Sequence, residues 1–287
     1  MAVKIIVDST SYIPEKWIDE LDIEVVSLSV VFGDESFKET EIGNEAFYSK
    51  LKKADAIPTS SQPSVDELYK MFENIVSHGD SIVAAFISSD MSGTYSSAHM
   101  VKNMILEKYP QAQIGLIDSR SNCMQLGFVA CVAARAAKEM KSFEEVLRIA
   151  ENVVPKGRFI FLPDTLEYLK KGGRIGSAKA LLGSILQIKP ILTVNDGKTD
   201  LIDSVRTKKK AVNRIIDMFL KDVESKGLGE VAVHHIHCEE EAKKVALVLQ
   251  EKLQIDEITI CPIGPVIGTH VGPGAMGIAY YTKEKRS

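Results

Sequence analysis

The chain has 287 residues, 45% hydrophobic and 26% charged, enough for one large domain or two medium ones with a sizeable buried core. A formal net charge of −4 provides no broad basic field, which argues against nucleic acid as the main partner and leaves at most transient membrane contact. The N-terminus lacks the apolar run and cleavage site of a signal peptide, and no apolar stretch reaches membrane-spanning length, so a cytoplasmic location is expected.

In chain order, Val3–Val7 is a short, nearly continuous apolar run, as expected of a strand buried on both faces, and it leads straight into Asp8-Ser9-Thr10-Ser11. Val26–Val30 alternates and predicts a strand with one more polar face. Gly33–Ile57 has the least regular pattern and reads as a surface insertion. Pro58-Thr59-Ser60-Ser61-Gln62-Pro63 is a hydroxyl cluster between two prolines, a stiff polar turn ahead of a helix. That helix opens with a capping box at Ser64-Val65-Asp66-Glu67 and places Val65, Leu68, Phe72 and Ile75 on one face. Ile82–Ile87 and Ile114–Ile117 are two further buried-strand runs. They are followed at once by Ser88-Ser89-Asp90-Met91-Ser92-Gly93-Thr94 and Asp118-Ser119-Arg120-Ser121. A second capping box, Ser142-Phe143-Glu144-Glu145, starts another helix. Cys123, Cys131, Cys238 and Cys261 are scattered without a Cys-x-x-Cys pair and read as four buried thiols.

At Pro155-Lys156-Gly157 the pattern changes. Strands are expected at Phe159–Leu162, Ile191–Val194, Val231–Ile236, Ile258–Cys261 and Ile278–Tyr281. Thr207–Lys226 forms an amphipathic helix through Val212, Ile215, Ile216 and Phe219. The expected fold class is therefore α/β, with a parallel-sheet α/β sandwich over residues 1–155 and an α+β domain over 156–287. Within the second half, Arg174 emerges beside a glycine pair, and Ser177 to Ile188 reads as an apolar helix that could wall a cavity or belong to ordinary core. Near the end, Gly264 to Gly277 is a glycine-rich turn carrying one imidazole, His270, which suggests close approach of backbone to a ligand.

Three hydroxyl-rich turns at strand ends favour a site, because ligands of open parallel sheets bind beyond the carboxyl ends of the strands. Taken singly, each turn could equally be a helix cap. Ser92 and Thr94 stand before a helix whose periodic positions include Ala98, Val101, Met104 and Ile105, and such an N-terminus suits a carboxylate or phosphate. Arg174 could grip the same anion. One rival is a hydrolase with Ser92 as nucleophile, His270 as base and Asp8 or Asp118 as orienter, although Gly-x-Ser-x-Gly is absent around Ser92. Another is a metal site at His234-His235-Ile236-His237-Cys238. There a strand brings only His235 and His237 to one face, too few ligands for zinc.

The ordered set Asp8-Ser9-Thr10, Pro58 to Pro63, Ser88-Ser89-x-x-Ser92-Gly93-Thr94-Tyr95, Tyr168 to Ile175, Val205-Arg206-Thr207 and Gly268-Thr269-His270-Val271-Gly272 resembles the DegV family over nearly the whole chain. The resemblance implies a monomeric two-domain fatty-acid carrier, with one long-chain fatty acid in a tunnel between the domains and no other cofactor. It implies that Ser60, Ser92 and His270 hold the carboxylate, with Ser61, Thr269 and Arg174 beside them. The family often has Thr where this chain has Ser60, which keeps the hydroxyl donor and lacks the methyl. The implied partner is a DhaK-like fatty acid kinase, which supplies nucleotide and metal and makes an acyl phosphate for phospholipid synthesis. Arg206 matches the position engaging the kinase or the phosphate, and no Walker-type phosphate loop is present here.

Overall fold

The computed structural model describes residues 2–54, 56–183 and 188–285. The chain opens with β1 (Val3–Asp8), α1 (Glu15–Leu21), β2 (Ile23–Val26), β3 (Ser29–Phe32), β4 (Glu35–Lys38), α2 (Glu39–Ile42), α3 (Asn44–Lys53) and β5 (Thr59–Ser61). It continues with α4 (Val65–Ser77), β6 (Ser81–Phe86), α5 (Thr94–Lys108), β7 (Ile114–Asp118), α6 (Cys123–Lys138) and α7 (Phe143–Glu151). Strands β2-β1-β6-β7 form a wholly parallel sheet. Every residue of β6 is buried, since helices cover both faces. Leu68 and Phe72 of α4 pack with Val101 and Ile105 of α5 on one face, and Phe128 of α6 with Val146 of α7 on the other. This double cover is why the central strands read as unbroken apolar runs.

Two expectations for the first half are corrected. The alternating segment Val26–Val30 is not one strand. Val26 pairs with Asp8 at the end of the parallel sheet, whereas Ser29 starts β3 of a separate antiparallel sheet ordered β4-β3-β5. Between them the Leu28 N–H donates to Ser9 Oγ at 3.0 Å, so the backbone leaves the first sheet there. Gly33–Ile57 is likewise no mere surface insertion. It holds β4, α2 and α3, with Phe47 and Tyr48 in the core, and position 55 alone lies outside the described residues. The short amphipathic period of α3 was hidden by its many charges.

The two capping boxes differ. Ser142 forms a complete one, accepting from the Glu145 N–H while the Glu145 carboxylate takes the Ser142 N–H. At Ser64 the serine caps Glu67, but the Glu67 carboxylate takes the Ser64 hydroxyl and pairs with Lys38 at 2.5 Å. Ser142→Ala is expected to cost about 1 kcal/mol, measured by denaturant unfolding, with ligand affinity unchanged.

The second half comprises β8 (Gly157–Leu162), α8 (Glu167–Lys171), β9 (Lys189–Asn195), β10 (Lys198–Val205), α9 (Lys208–Lys226), β11 (Leu228–His235), α10 (Glu239–Leu253), β12 (Thr259–Pro262), α11 (Pro265–Val271) and β13 (Met276–Thr282). Its mixed sheet runs β10-β9-β8-β13-β11-β12, antiparallel except for the β11–β12 pair. Ile215, Ile216 and Phe219 of α9 bury against one face, as the period predicts, while the Tyr280 hydroxyl and Arg158 both reach Asp222. The apolar helix expected from Ser177 to Ile188 is instead a 3-10 turn over Gly176–Leu181, with Gly176 at φ +53°. Positions 184–187 lie outside the described residues. The two large sheets fall on either side of the turn Val154–Lys156, yet one core cluster contains Val7 and Phe128 together with Phe159, Ala232 and Ile263.

Candidate functional site

The glycine-rich segment around His270 is a helix, not a turn. Pro265 occupies the first position of α11, where its missing N–H costs nothing, and Gly272 at φ +82° ends it. The glycines inside serve close approach. A Cβ at Gly264 would stand 2.6 Å from the Tyr12 ring and 2.8 Å from Glu39 Oε1, and one at Gly268 would stand 2.1 Å from the Tyr48 hydroxyl. These contacts anchor the helix. The Val266 N–H donates to Glu39 Oε1 at 2.8 Å, and the Ile267 N–H donates to the Tyr12 hydroxyl at 3.1 Å. Tyr12 in turn donates to Glu39 Oε1 at 2.8 Å, Ser9 donates to Oε2 at 2.5 Å, and the Tyr48 hydroxyl donates to the carbonyls of Ile263 and Gly264. Glu39 is buried, and loss of water raises its carboxyl to about 7 even though three hydrogen bonds favour the charged form.

A cavity of about 300 Å³ lies against α11. Its walls are apolar, with Leu28, Ile87, Phe159, Phe161, Val194 and Ile263 among them, and its polar lining comes from Ser60, Ser61, Gln62, Ser92, Asn122, Thr199, Arg174 and His270. Ser60 reaches His270 because β5 pairs with β3 at Val30, which swings the 58–63 segment over α11. The Ser60 hydroxyl and His270 Nε2 are 2.8 Å apart. The other face of the imidazole packs on Gly172, where a Cβ would stand 2.3 Å from Nδ1, and Nδ1 has no hydrogen-bond partner. Burial first, and the charge of Arg174 second, lower His270 to about 4, so it is a neutral imidazole near pH 7.

Arg174 clasps main chain. Its Nε and Nη2 donate to the Met91 carbonyl at 3.2 and 3.0 Å, and Nη1 donates to the Gly172 carbonyl at 2.8 Å. It therefore ties the loop bearing Ser92 to the glycine that supports His270. The Ser92 hydroxyl is 2.8 Å from that of Thr94 and also accepts the Thr94 N–H. Gln62 lies against Gly93 and donates to Ser97, so β5, the 88–93 loop and α11 meet at one polar rim.

Other residues singled out in the sequence lie elsewhere. Thr269 is buried with its hydroxyl turned to the Pro265 carbonyl, outside the cavity lining. Arg206 is exposed just before α9, also outside the lining. Asp8 accepts from Thr10 and from the Ile87 N–H, and Asp118 accepts from Ser89 and Arg120. Neither orients His270, so the chain of nucleophile, base and carboxylate needed for a hydrolase is not assembled. His234 Nδ1 donates to the Cys261 carbonyl and Nε2 accepts the Met124 N–H, while the His237 ring packs edge-on against Tyr48. Among the described residues no group of three or more His, Cys, Asp or Glu could hold a metal.

Glu39, Tyr12, Tyr48 and Asn122 were not legible as site residues. Glu39 meets α11 across 227 positions of sequence, and no local pattern marks such a pair. Chemically, the arrangement can take a molecule with an apolar body and a small oxygen-bearing head, the head meeting hydroxyls and a neutral imidazole.

Residues 2–283 match the family model described as an uncharacterised protein of the DegV family. A DegV domain-containing protein of Clostridium acetobutylicum is 56% identical over 284 residues, covering 99% of each chain. The structure of DegV from Bacillus subtilis, a fatty acid binding protein, superposes with a TM-score of 0.87 at 35% identity, covering 99% of this chain and 100% of that one. A stearic acid-binding protein from Eubacterium ventriosum superposes with a TM-score of 0.90 at 28% identity, covering 98% of both.

Proposed function

Because this chain belongs to the DegV family, we propose that it binds one long-chain fatty acid in the cavity beside α11 and presents the carboxylate to a separate fatty acid kinase. The observation that carries the reading is the Ser60–His270 pair at the polar rim of an apolar cavity. Each buried methylene contributes roughly 0.8 kcal/mol, so the tail supplies most of the affinity. Burying the head is costly unless it is hydrogen-bonded, and the hydroxyls of Ser60, Ser61 and Ser92 with His270 are the groups that meet it. Arg174 adds positive potential while its hydrogens stay on main-chain carbonyls. The chain acts as a monomeric cytoplasmic carrier feeding phospholipid synthesis, and bond-making belongs to the kinase, which brings nucleotide and metal. Exposed Arg206, with Lys209 and Lys210 beside it, supplies the positive surface that faces the kinase or the transferred phosphate.

Native mass spectrometry of the purified chain is expected to show one fatty acid per chain. Ser60→Ala should weaken palmitate binding about tenfold, the effect of one hydrogen bond to a charged group. Arg206→Ala should leave binding unchanged and lower acyl-phosphate formation when kinase and ATP are added. No bound lipid in the purified chain, together with no uptake of added palmitate or oleate, would refute the reading.

A further inference from the structure

Asn122 stands immediately before α6, where an asparagine side chain ordinarily accepts an N–H of the first helical turn. Here it makes no such bond. The Met124 N–H, the natural partner, donates instead to His234 Nε2 at 3.0 Å, and His234 is held in the required tautomer by donating from Nδ1 to the Cys261 carbonyl. A histidine from β11 has taken over the capping of α6, and the Asn122 amide is free for another task.

Asn122 is among the residues that line the apolar cavity although it is only 7% exposed. Its Nδ2 donates to the Met91 sulfur at 3.2 Å, a weak acceptor, and its Oδ1 is buried with no hydrogen-bond partner. A carbonyl oxygen left so is destabilising, and leucine or valine would suit an apolar wall better. Met91 precedes Ser92 and gives its carbonyl to Arg174, so Asn122 joins the same loop that carries the polar rim.

We propose that Asn122 contacts the ligand, its Oδ1 accepting a hydrogen bond from a hydroxyl group of the bound lipid. This rests on the fatty-acid reading above and adds a discriminating group to it. The hydroxyl has two sources, the protonated carboxyl of the acid itself or a hydroxyl substituent on the acyl chain. An acceptor oxygen repels a carboxylate and serves either O–H equally.

The test compares dissociation constants of palmitic acid, a positional series of hydroxyhexadecanoic acids and methyl palmitate, which has no O–H, at pH 5.5 and 8. The proteins are the wild-type chain and Asn122→Leu, which is nearly isosteric and removes the acceptor. If the carboxyl is the source, Asn122→Leu weakens palmitic acid relative to methyl palmitate about tenfold at pH 5.5 and less at pH 8. If a chain hydroxyl is the source, the loss of about tenfold is confined to one hydroxyl position and is the same at both pH values. Either result supports the proposal. Relative affinities within twofold of wild type for every ligand at both pH values would overturn it. Should Asn122→Leu not fold, Asn122→Ser, which withdraws the carbonyl from the cavity, is read by the same outcomes. A wild-type chain that takes up none of these lipids removes the fatty-acid reading itself, a result distinct from unchanged ratios.

Discussion

Gly172→Ala is expected to lower palmitate affinity about tenfold or more while leaving the unfolding temperature nearly unchanged. Gly172 has φ −74° and ψ −5°, ordinary right-handed geometry, so alanine incurs no backbone strain and by itself would stabilise the chain by about 0.4–1 kcal/mol. The new methyl, however, would stand 2.3 Å from His270 Nδ1 and 3.2 Å from Cε1. The ring must move, and with it the Nε2 that meets Ser60 at 2.8 Å. Calorimetric titration with palmitate beside thermal melts separates the two effects. Normal affinity in a folded Gly172→Ala protein would show that the imidazole position does not matter to the ligand. Equal loss of affinity and stability would show a structural role for the contact alone.

The second large effect concerns Glu39. Glu39→Ala removes the acceptor of Ser9, Tyr12 and the Val266 N–H together, and donors left buried at about 1 kcal/mol or more apiece place the expected loss near 3 kcal/mol or above. Glu39→Gln behaves differently, because glutamine keeps the shape of the neutral acid at every pH. The folded carboxyl titrates at about 7 against an ordinary value of 4.5, so between these values the folded chain holds a proton that the unfolded chain has released. Its stabilising share is complete below about pH 4.5 and lost as pH rises through 7. Asp8, raised by burial to about 6, acts in the same direction. His234 and His270, lowered by burial to about 3 and 4, act in the opposite one and lose stability as pH falls below 6.5. Comparing two variants that share those groups cancels their contributions. The stability of Glu39→Gln relative to wild type should therefore rise from pH 5 to pH 8 in denaturant unfolding. A difference that stays constant with pH would mean that Glu39 is already ionised across that range.

Structure that is encoded locally is legible in the sequence. The parallel sheet announced itself in Val3–Val7, Ile82–Ile87 and Ile114–Ile117 because burial on two faces leaves no room for polar residues. The Ser142 box and the Thr207 cap of α9 were readable for the same reason, since donor and acceptor lie three residues apart. Ser60 and His270 each stand out as unusual polar groups, but their meeting across 210 positions depends on the β3–β5 pairing, which spans the segment whose pattern suggests an irregular insertion. Around His270 the glycines suggest a turn that brings backbone close to a ligand, whereas the chain forms α11 there. Gly264 and Gly268 have other work, making room for Tyr12, Glu39 and Tyr48. Close approach and left-handed backbone leave the same letter in the sequence.

His234 at the head of α6 has a consequence for how a ligand comes and goes. The residue belongs to β11, yet the helix it caps belongs to the other half of the chain, and Arg135 of that helix makes a two-bonded ion pair with Glu230 of the same strand. Swinging the halves apart would strip a helix of its cap, leave a neutral imidazole facing water and break a fork of charged bonds at once. Lipid exchange by that route would share its barrier with unfolding. On the proposed fatty-acid reading, exchange is therefore expected through a motion that leaves α6 seated on β11 and shifts only the short elements around the cavity mouth, which would let exchange and global stability be tuned by different residues.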